Sequence, residues 1–256
     1  MGEGGLTLPL LKADGMGFDC KAVLFDKDGT LIDFKYMWLE WSRYMLDEVS
    51  AAAGLKTGER DTLERAMGID LAAWHVDPEG PLAGGSMTGL RESMLQMLQT
   101  TGLDEVESRN LLQNIIRQAE EAMNWETLAT PVPGLYEMMD KLHGRGFKLA
   151  VVTADYASRA KISLAALKLI DCFDVVLGAD CVENSKPAPD MALLACRQLG
   201  VEPGLAVVVG DTPRDILMAK DAGTCSIGVL SGVCTREQLA AAEADAVIDS
   251  VADLRV

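Results

Sequence analysis

KAVLFDKDGT, residues 21–30, is an apolar run that ends in two aspartates separated by one residue. Side chains two apart in an extended segment point the same way, so Asp26 and Asp28 converge beyond the end of the strand. Two carboxylates about 4 Å apart repel by roughly 4 kcal/mol at an effective dielectric constant of about 20, unless they share a cation or a proton. The pair therefore predicts a site for a hard divalent cation, with an ordinary Asp-Gly turn as the structural alternative.

The composition is that of a folded, strongly acidic protein. A length of 256 residues and a hydrophobic content of 49% suffice to bury a core. The 23 basic and 39 acidic residues leave a net charge of −16, which repels nucleic acid and anionic membrane surfaces. Neither is therefore expected as a partner, and an anionic substrate requires a metal ion or a lysine that reverses the field locally.

Cysteine spacing and the N-terminal residues bear on the cellular compartment. The six cysteines include no Cys-x-x-Cys pair, so we expect buried, reduced thiols rather than disulfides or zinc ligands. No apolar run is long enough to span a bilayer, and residues 1–17 lack the basic leading segment of a secretory signal. These features predict a cytoplasmic protein in which residues 1–18 form a flexible leader. They do not predict its oligomeric state.

Short apolar runs alternate with helix-like segments over most of the chain. Such alternation predicts an α/β fold with a doubly wound, Rossmann-like parallel sheet. The predicted strands cover residues 23–25, 147–152, 175–177, 206–209, 226–229 and 246–248. The predicted helices among them cover residues 135–142, 158–167, 189–199 and 214–222.

The segment between the first two predicted strands has a helical pattern instead. Apolar residues recur at helical spacing over residues 37–52 and 111–123. We therefore predict an α-helical cap domain at residues 34–129, inserted into a core made of residues 19–33 and 130–256. A domain joined through two adjacent chain segments can move as a lid over a site, and a static packed subdomain is the alternative.

Polar residues follow each of the next three predicted strands. Thr153 and Ala154 offer a hydroxyl and backbone donors, and Lys186 lies in a proline-framed loop. Asp211 and Asp215 flank the start of a helix. Taken alone, each residue has a structural explanation as a helix cap, an exposed lysine or a carboxylate at a helix N-terminus. Ligands bind beyond the carboxyl ends of strands in open α/β sheets, so these residues are expected to meet the aspartate pair in one pocket.

The order of these motifs resembles that of the haloacid dehalogenase superfamily. Asp-x-Asp-Gly-Thr is followed by Thr, by Lys-Pro and by Gly-Asp-x-x-x-Asp, each at the end of a predicted strand. A helical cap inserted after the first strand is similar to the phosphoglycolate phosphatase-like subfamily. The resemblance extends over roughly residues 20 to 253, because both the motif order and the insertion site match.

The resemblance implies a Mg²⁺-dependent phosphatase that works through an aspartyl-phosphate intermediate. Asp26 would be the nucleophile, and Asp28 would act as the acid and base that moves protons. An acid at position 28 favours phosphate ester chemistry over dehalogenation within the superfamily. The resemblance also assigns Mg²⁺ to Asp26, Asp28 and Asp211 with support from Asp215, and the phosphoryl oxygens to Thr153, Ala154 and Lys186.

The implied substrate is a small phosphorylated metabolite, either phosphoglycolate-like or a sugar phosphate. A phosphomutase of the β-phosphoglucomutase type is the alternative, since it uses the same architecture. A more distant alternative is a phosphorylation-controlled signalling module, because receiver domains also place acids, a threonine and a lysine at strand ends. Within the insertion, His75 and Arg91 are candidates for substrate specificity.

Overall fold

The computed structural model describes residues 8–85 and 87–256 and divides the chain into two compact units. One unit contains the chain up to residue 33 together with residues 129–256, and the other contains residues 34–128. The division therefore falls beside the boundaries predicted for the inserted domain, within one residue at each end.

Ten strands and ten α-helices occur within the described residues. The strands are β1 (Leu10–Ala13), β2 (Met16–Asp19), β3 (Ala22–Phe25), β4 (Ile69–Asp70), β5 (His75–Val76), β6 (Lys148–Val152), β7 (Val175–Leu177), β8 (Ala206–Gly210), β9 (Cys225–Val229) and β10 (Ala246–Ile248). The helices are α1 (Phe34–Ala53), α2 (Thr57–Met67), α3 (Met87–Gln99), α4 (Glu105–Ala122), α5 (Trp125–Leu128), α6 (Leu135–Gly144), α7 (Ala157–Ala166), α8 (Asp190–Leu199), α9 (Pro213–Ala222) and α10 (Arg236–Ala241).

A six-stranded sheet forms the centre of the larger unit. Its order is β10-β9-β8-β3-β6-β7, and every neighbouring pair is parallel. All residues of β3 and β8 are buried, which explains why these strands are continuous apolar runs rather than alternating ones. The predicted doubly wound parallel α/β fold is confirmed.

The strand order places a topological switch point at β3. From β3 the chain builds β6 and β7 on one side of the sheet and then β8, β9 and β10 on the other. Phe25, the last residue of β3, lies opposite Val151 of β6 and Val209 of β8. The carboxyl ends of these three strands therefore lie side by side, at the position where open α/β sheets bind ligands.

The N-terminal residues differ from the expected flexible leader. Residues 1–7 lie outside the described part of the chain, but β1 and β2 form an antiparallel hairpin. Its turn is Asp14-Gly15, with both residues at positive φ, a sequence typical of two-residue hairpins. Lys12 of β1 also pairs through its backbone with Arg255 near the other end of the chain. The prediction of a leader over residues 1–18 is therefore wrong for residues 10–18.

Leu11→Ala tests whether this hairpin stabilises the larger unit. Leu11 is fully buried, and replacing a buried leucine with alanine typically lowers the free energy of unfolding by about 2–5 kcal/mol. We expect a clear drop in Tm, and Leu10→Ala is the matched control because Leu10 is 41% exposed. Equal Tm values for the two variants would show that the hairpin adds no stability. Circular dichroism during thermal unfolding gives both values.

The smaller unit is built from α1 to α5 and a short β4-β5 ribbon. The predicted helical stretches fall within α1 and α4, and α4 begins with a capping box in which Asp104 accepts from the backbone N–H of Glu107. Ring contacts join Trp38 to its aromatic neighbours in the same unit, with centroids 5.7–6.4 Å apart; these neighbours are Phe34, Trp41 and Trp125. These rings therefore form core of the helical unit.

The six cysteines differ in their exposure to solvent. All six cysteines are free, but only Cys20, Cys196 and Cys234 are buried, and Cys181 is exposed. The expectation of buried thiols is therefore wrong for Cys181.

Across the described residues, no helix combines the length and the apolar character needed to cross a bilayer.

Candidate active site

Three aspartates from two neighbouring strand ends form the centre of the site. Asp26 directly follows β3, and its backbone N–H donates to the carbonyl of Val209 in β8 at 2.8 Å. Asp211 directly follows β8, and Asp215 lies in the first turn of α9. One carboxylate oxygen from each of these aspartates lies within 4.8 Å of the others, and all three residues are buried. We call this set the carboxylate cluster.

Helix α9 and its N-cap hold Asp215 in place. Its Oδ2 accepts hydrogen bonds from the backbone N–H of Thr212 at 3.1 Å and from the Thr212 hydroxyl at 2.6 Å. Pro213 occupies the first helical position, where its missing N–H costs no hydrogen bond. The residues that start α9 therefore also orient one member of the cluster.

Lys186 reaches the cluster from the loop between β7 and α8. Its Nζ lies 2.8 Å from Oδ1 of Asp26 and 2.5 Å from Oδ1 of Asp215, and the residue is only 4% exposed. Burial favours the neutral amine, but Asp215 and Asp26 outweigh it and raise the pKa of Lys186. The alternative of an ordinary exposed lysine is wrong. A cis peptide bond joins Lys186 to Pro187, and the Arg214 guanidinium donates to the Lys186 carbonyl.

Asp211 has no partner for either carboxylate oxygen among the described residues. The residue is 1% exposed, and neither oxygen accepts a hydrogen bond. Burial, followed by the charges of Asp26 and Asp215, raises its pKa well above the ordinary value. Buried unpaired carboxylates are costly, so this side chain requires either a proton or a cation beside it.

The buried charges around the sheet edge do not balance. Five buried carboxylates face three buried cations, which leaves a formal deficit of two positive charges. A divalent cation would neutralise that deficit, and carboxylate oxygens are the ligands that Mg²⁺ prefers. The residues present therefore fit a bound Mg²⁺. The acids are Asp26, Asp28, Asp155, Asp211 and Asp215, and the cations are Lys27, Arg159 and Lys186.

Two glycines bring the backbone directly against Asp211. Gly29 has a φ of +83°, and a Cβ there would lie 2.3 Å from Asp211 Oδ2. A Cβ on Gly232 would lie 1.8 Å from the same oxygen. Any larger residue at either position must therefore displace the carboxylate. Ser231 adds a further contact by donating from its hydroxyl to the Gly29 carbonyl at 2.7 Å.

Gly232→Ala is expected to damage the site more than the fold. The new methyl group must displace the side chain of Asp211, and small displacements at a catalytic centre cost roughly a hundredfold in rate. We expect at least about a tenfold loss of the activity of the site, measured at saturating substrate, with a Tm close to that of the native protein. Gly204→Ala is the control, because a Cβ there meets no atom within 4 Å. Equal activity of the two variants would contradict the role assigned to this contact.

Asp26 and Asp28 occupy different surroundings despite their spacing. Burial raises the pKa of Asp26 to about 6; Lys186 opposes the shift, and Asp215 and Asp28 add to it. Asp28 is instead bound by Lys27, whose Nζ donates to its Oδ1 at 2.7 Å. The first aspartate thus belongs to the carboxylate cluster, and the second has its own cation.

Thr153 directly follows β6, the other neighbour of β3. It is buried, and its Oγ1 accepts from the backbone N–H of Asp155 at 3.1 Å, which leaves the hydroxyl proton available for donation. The alternative that Thr153 caps α7 is wrong, because Ala157 at the start of α7 donates to Oδ1 of Asp180 at 2.9 Å. Ala154 follows Thr153 and is half-buried.

Three residues of this region were not expected from the sequence. Lys27 is fully buried, Asp155 is 4% exposed, and Arg159 is 4% exposed. The only sequence signal concerns Lys27, which stands between two aspartates at the end of an apolar run. An exposed lysine is the usual interpretation of that position. Their pairing is visible only in three dimensions.

His75 and Arg91 belong to the helical unit. His75 is exposed in β5, and Arg91 is half-buried in α3. Neither is among the buried charges of the larger unit described above. Their role in specificity therefore stays a prediction.

One protein family matches most of the chain. The family described as haloacid dehalogenase-like hydrolase matches residues 20–223, which include β3, β8 and every member of the carboxylate cluster. The chain belongs to the haloacid dehalogenase-like hydrolases. The resemblance stated from the motifs is thereby confirmed at the level of the family.

Individual relatives of this hydrolase are named as phosphatases. The probable phosphatase IndB of Dickeya dadantii is 44% identical over 122 residues, which cover 48% of this chain and 53% of that protein, so the match spans about half of its length. The phosphoglycolate phosphatase of Salmonella typhimurium is 28% identical over 246 residues, covering 91% of this chain and 90% of that protein.

A solved structure shares the fold of this haloacid dehalogenase-like hydrolase. It is described as a predicted phosphoglycolate phosphatase from Haemophilus somnus. The TM-score is 0.71 at 21% sequence identity, and the match covers 91% of this chain and 96% of that one. At this identity the likeness concerns the fold alone.

Proposed function

We propose that this hydrolase is a Mg²⁺-dependent phosphatase that acts on a small phosphorylated metabolite through an aspartyl-phosphate intermediate. The observation that carries the proposal is the separation of Asp26 and Asp28 into two environments. One aspartate lies in a buried cluster that a cation would neutralise, and the other is paired with Lys27. Two carboxylates whose surroundings differ in this way are suited to different chemical roles.

The carboxylates of Asp26 and Asp211 and the backbone carbonyl of Asp28 would hold Mg²⁺, with Asp215 in support. The two unpartnered oxygens of Asp211 support this assignment. When bound, Mg²⁺ supplies positive charge that compensates the carboxylates and the incoming phosphoryl group.

The two aspartates divide the reaction between them. A carboxylate oxygen of Asp26 attacks phosphorus as the bond to the leaving oxygen breaks, and protonated Asp28 gives its proton to that oxygen. Asp28, now a carboxylate, then takes a proton from water as the water oxygen attacks phosphorus. This second step releases inorganic phosphate and regenerates the Asp26 carboxylate.

Lys186 and Thr153 would bind the phosphoryl oxygens. Lys186 already contacts Asp26, so its charge lies where the transferred group must sit. The Thr153 hydroxyl accepts from Asp155 and can donate its own proton to a phosphoryl oxygen. The backbone N–H of Ala154 would add a further donor.

Names of relatives and the helical insertion support the choice of substrate class. The full-length relative from Salmonella typhimurium is named phosphoglycolate phosphatase. We therefore propose a substrate of similar size, phosphoglycolate-like or a sugar phosphate, with residues 34–128 as a cap that selects it. His75 and Arg91 are the cap residues proposed to contact substrate.

Phosphate release from a panel of phosphorylated metabolites, with and without Mg²⁺, tests the proposal. We expect Mg²⁺-dependent release of phosphate from at least one small alkyl phosphate. Conversion of a sugar phosphate into its isomer without phosphate release would indicate a phosphomutase instead. An acyl phosphate that forms and does not turn over would indicate a signalling module.

A further inference from the structure

Lys27 is a lysine inside the protein at a position where an apolar residue would suffice. It stands between Asp26 and Asp28, directly beyond β3, and its side chain is 0% exposed. Its Nζ lies 2.7 Å from Oδ1 of Asp28 and 3.2 Å from Oδ2 of Asp155. Its ammonium group therefore joins the loop after β3 to the loop after β6.

Asp155 is the fixed end of this connection. Its Oδ1 accepts from the Arg159 guanidinium at 2.6 Å and from the backbone N–H of Tyr156 at 2.8 Å. Its own backbone N–H donates to the Thr153 hydroxyl at 3.1 Å, and its carbonyl accepts from Ala179 at 2.9 Å. With two side-chain and two backbone interactions in addition to Lys27, Asp155 is a rigid anchor.

Stability alone does not account for a charged group here. The ammonium group of Lys27 is removed from water, and the carboxylates that balance its charge are those of Asp28 at 2.7 Å and Asp155 at 3.2 Å. Buried ion pairs are often no more stabilising than apolar residues of similar size. A charged residue at this position is therefore better explained by its effect on the orientation of the Asp28 carboxylate.

We propose that Lys27 is a positioning residue that holds the Asp28 carboxylate for proton transfer, anchored through Asp155 and Arg159. The inference rests on the proposed phosphatase function. The contact of Lys27 Nζ with Oδ1 of Asp28 at 2.7 Å fixes the orientation of the carboxyl group that is to transfer the proton. The same anchor orients the Thr153 hydroxyl, so one buried network aligns the proton donor and a phosphate-binding residue.

Lys27→Met tests the proposal, because methionine keeps much of the side-chain volume and removes the ammonium group. Leaving-group dependence separates proton transfer from general damage. The p-nitrophenolate ion leaves without protonation, whereas an alkoxide requires it. The aspartyl-phosphate formed from either substrate needs Asp28 as the base for hydrolysis.

Two measurements follow the two proton transfers in Lys27→Met. With p-nitrophenyl phosphate we expect a burst of p-nitrophenolate at a rate within about threefold of the native one, followed by a steady-state rate lowered at least about tenfold. With the best alkyl phosphate of the panel, phosphorylation of the enzyme in a single turnover should itself slow at least about tenfold. Asp28→Asn should show the same pattern with larger losses.

Lys148→Met is the matched control. Lys148 starts β6, at the opposite end of that strand from Thr153, and donates to the Leu199 carbonyl. Lys148→Met removes a lysine and a tertiary contact. The rate of the p-nitrophenolate burst and the steady-state rate should nevertheless keep the ratio that they have in the native protein. A Lys27→Met protein in which both phases and both substrates lose the same factor would show a merely structural role and overturn the proposal.

Asp155→Asn is a second variant, in case Lys27→Met does not fold. It keeps a side chain that can accept from Arg159 and removes the negative charge that faces Lys27 and Arg159, so the same leaving-group pattern is expected with smaller losses. Native kinetics in Asp155→Asn would contradict the anchoring. If Asp28→Asn also lacks the pattern, the proposed function fails; if Asp28→Asn shows it and both network variants do not, only the role of Lys27 fails.

Discussion

Asp26→Asn should lower phosphate release by at least about a thousandfold, because an amide cannot attack phosphorus to form an acyl phosphate. The fold should survive, since Lys186 remains paired with Asp215 and the asparagine keeps the shape of the buried side chain. Steady-state phosphate release gives the rate. Intact mass of acid-quenched enzyme shows the intermediate directly: the native protein should gain one phosphoryl group, and the variant should gain none.

Asp19→Asn is the control for Asp26→Asn. Asp19 is an exposed aspartate at the end of β2, so its replacement removes the same charge without touching the cluster. It should retain the activity and the covalent phosphate of the native protein. Asp26→Asn activity equal to that of Asp19→Asn would show that another group attacks phosphorus.

Continuous apolar runs made the central sheet predictable from the sequence. Strands buried on both faces, such as β3 and β8, are short continuous apolar runs without the i, i+3, i+4 spacing of an amphipathic helix. The charged or polar residue that ends each run also marks the functional edge of a parallel sheet. The fold and the convergence of Asp26, Asp211 and Lys186 therefore follow from strand order.

Features that depend on packing were not predictable in the same way. The β1-β2 hairpin has strands of only four residues, so the Asp14-Gly15 turn did not by itself identify a hairpin among the prolines and glycines of the N-terminal sequence. The burial of Lys27 depends on Asp155 and Arg159, which are distant from it in sequence and become neighbours only when β6 pairs with β3. Exposure of a charged side chain is a sound default until a partner is known.

Asp211→Asn should have opposite effects on stability and on activity. In the metal-free protein the asparagine removes a buried charge that has no partner, so the free energy of unfolding should rise by about 1–3 kcal/mol. Activity should fall by at least about a thousandfold, because the proposed Mg²⁺ loses a ligand that no neighbouring group replaces. Thermal unfolding with a chelator present and phosphate release with Mg²⁺ present measure the two effects.

Mg²⁺ should make the native protein more stable than Asp211→Asn, which is the reverse of the order expected without the metal. At a free concentration about 100 times its Kd, a cation that binds only the folded state adds about 2.7 kcal/mol, or roughly 5–10 °C in Tm. The native protein should show this gain, and Asp211→Asn should show little of it. Ca²⁺ and Mg²⁺ titrations of Asp19→Asn control for binding to the acidic surface. A native protein with the same Tm in chelator and in Mg²⁺ would contradict the metal site.

The pH dependence of folding stability is an independent test of the charge on Asp211. A carboxyl group whose pKa is raised in the folded state contributes stability below its ordinary pKa of 3.8 and loses that contribution as the pH rises through its folded value. For Asp26 the loss falls between about pH 4 and about pH 6, and the raised pKa of Asp211 adds a loss in the same direction above its ordinary value. The metal-free advantage of Asp211→Asn should therefore grow with pH above 4 and should disappear when Mg²⁺ compensates the native carboxylate. If the stability gain of metal-free Asp211→Asn over the native protein did not change with pH, the Asp211 carboxylate would not be the charge that destabilises this site.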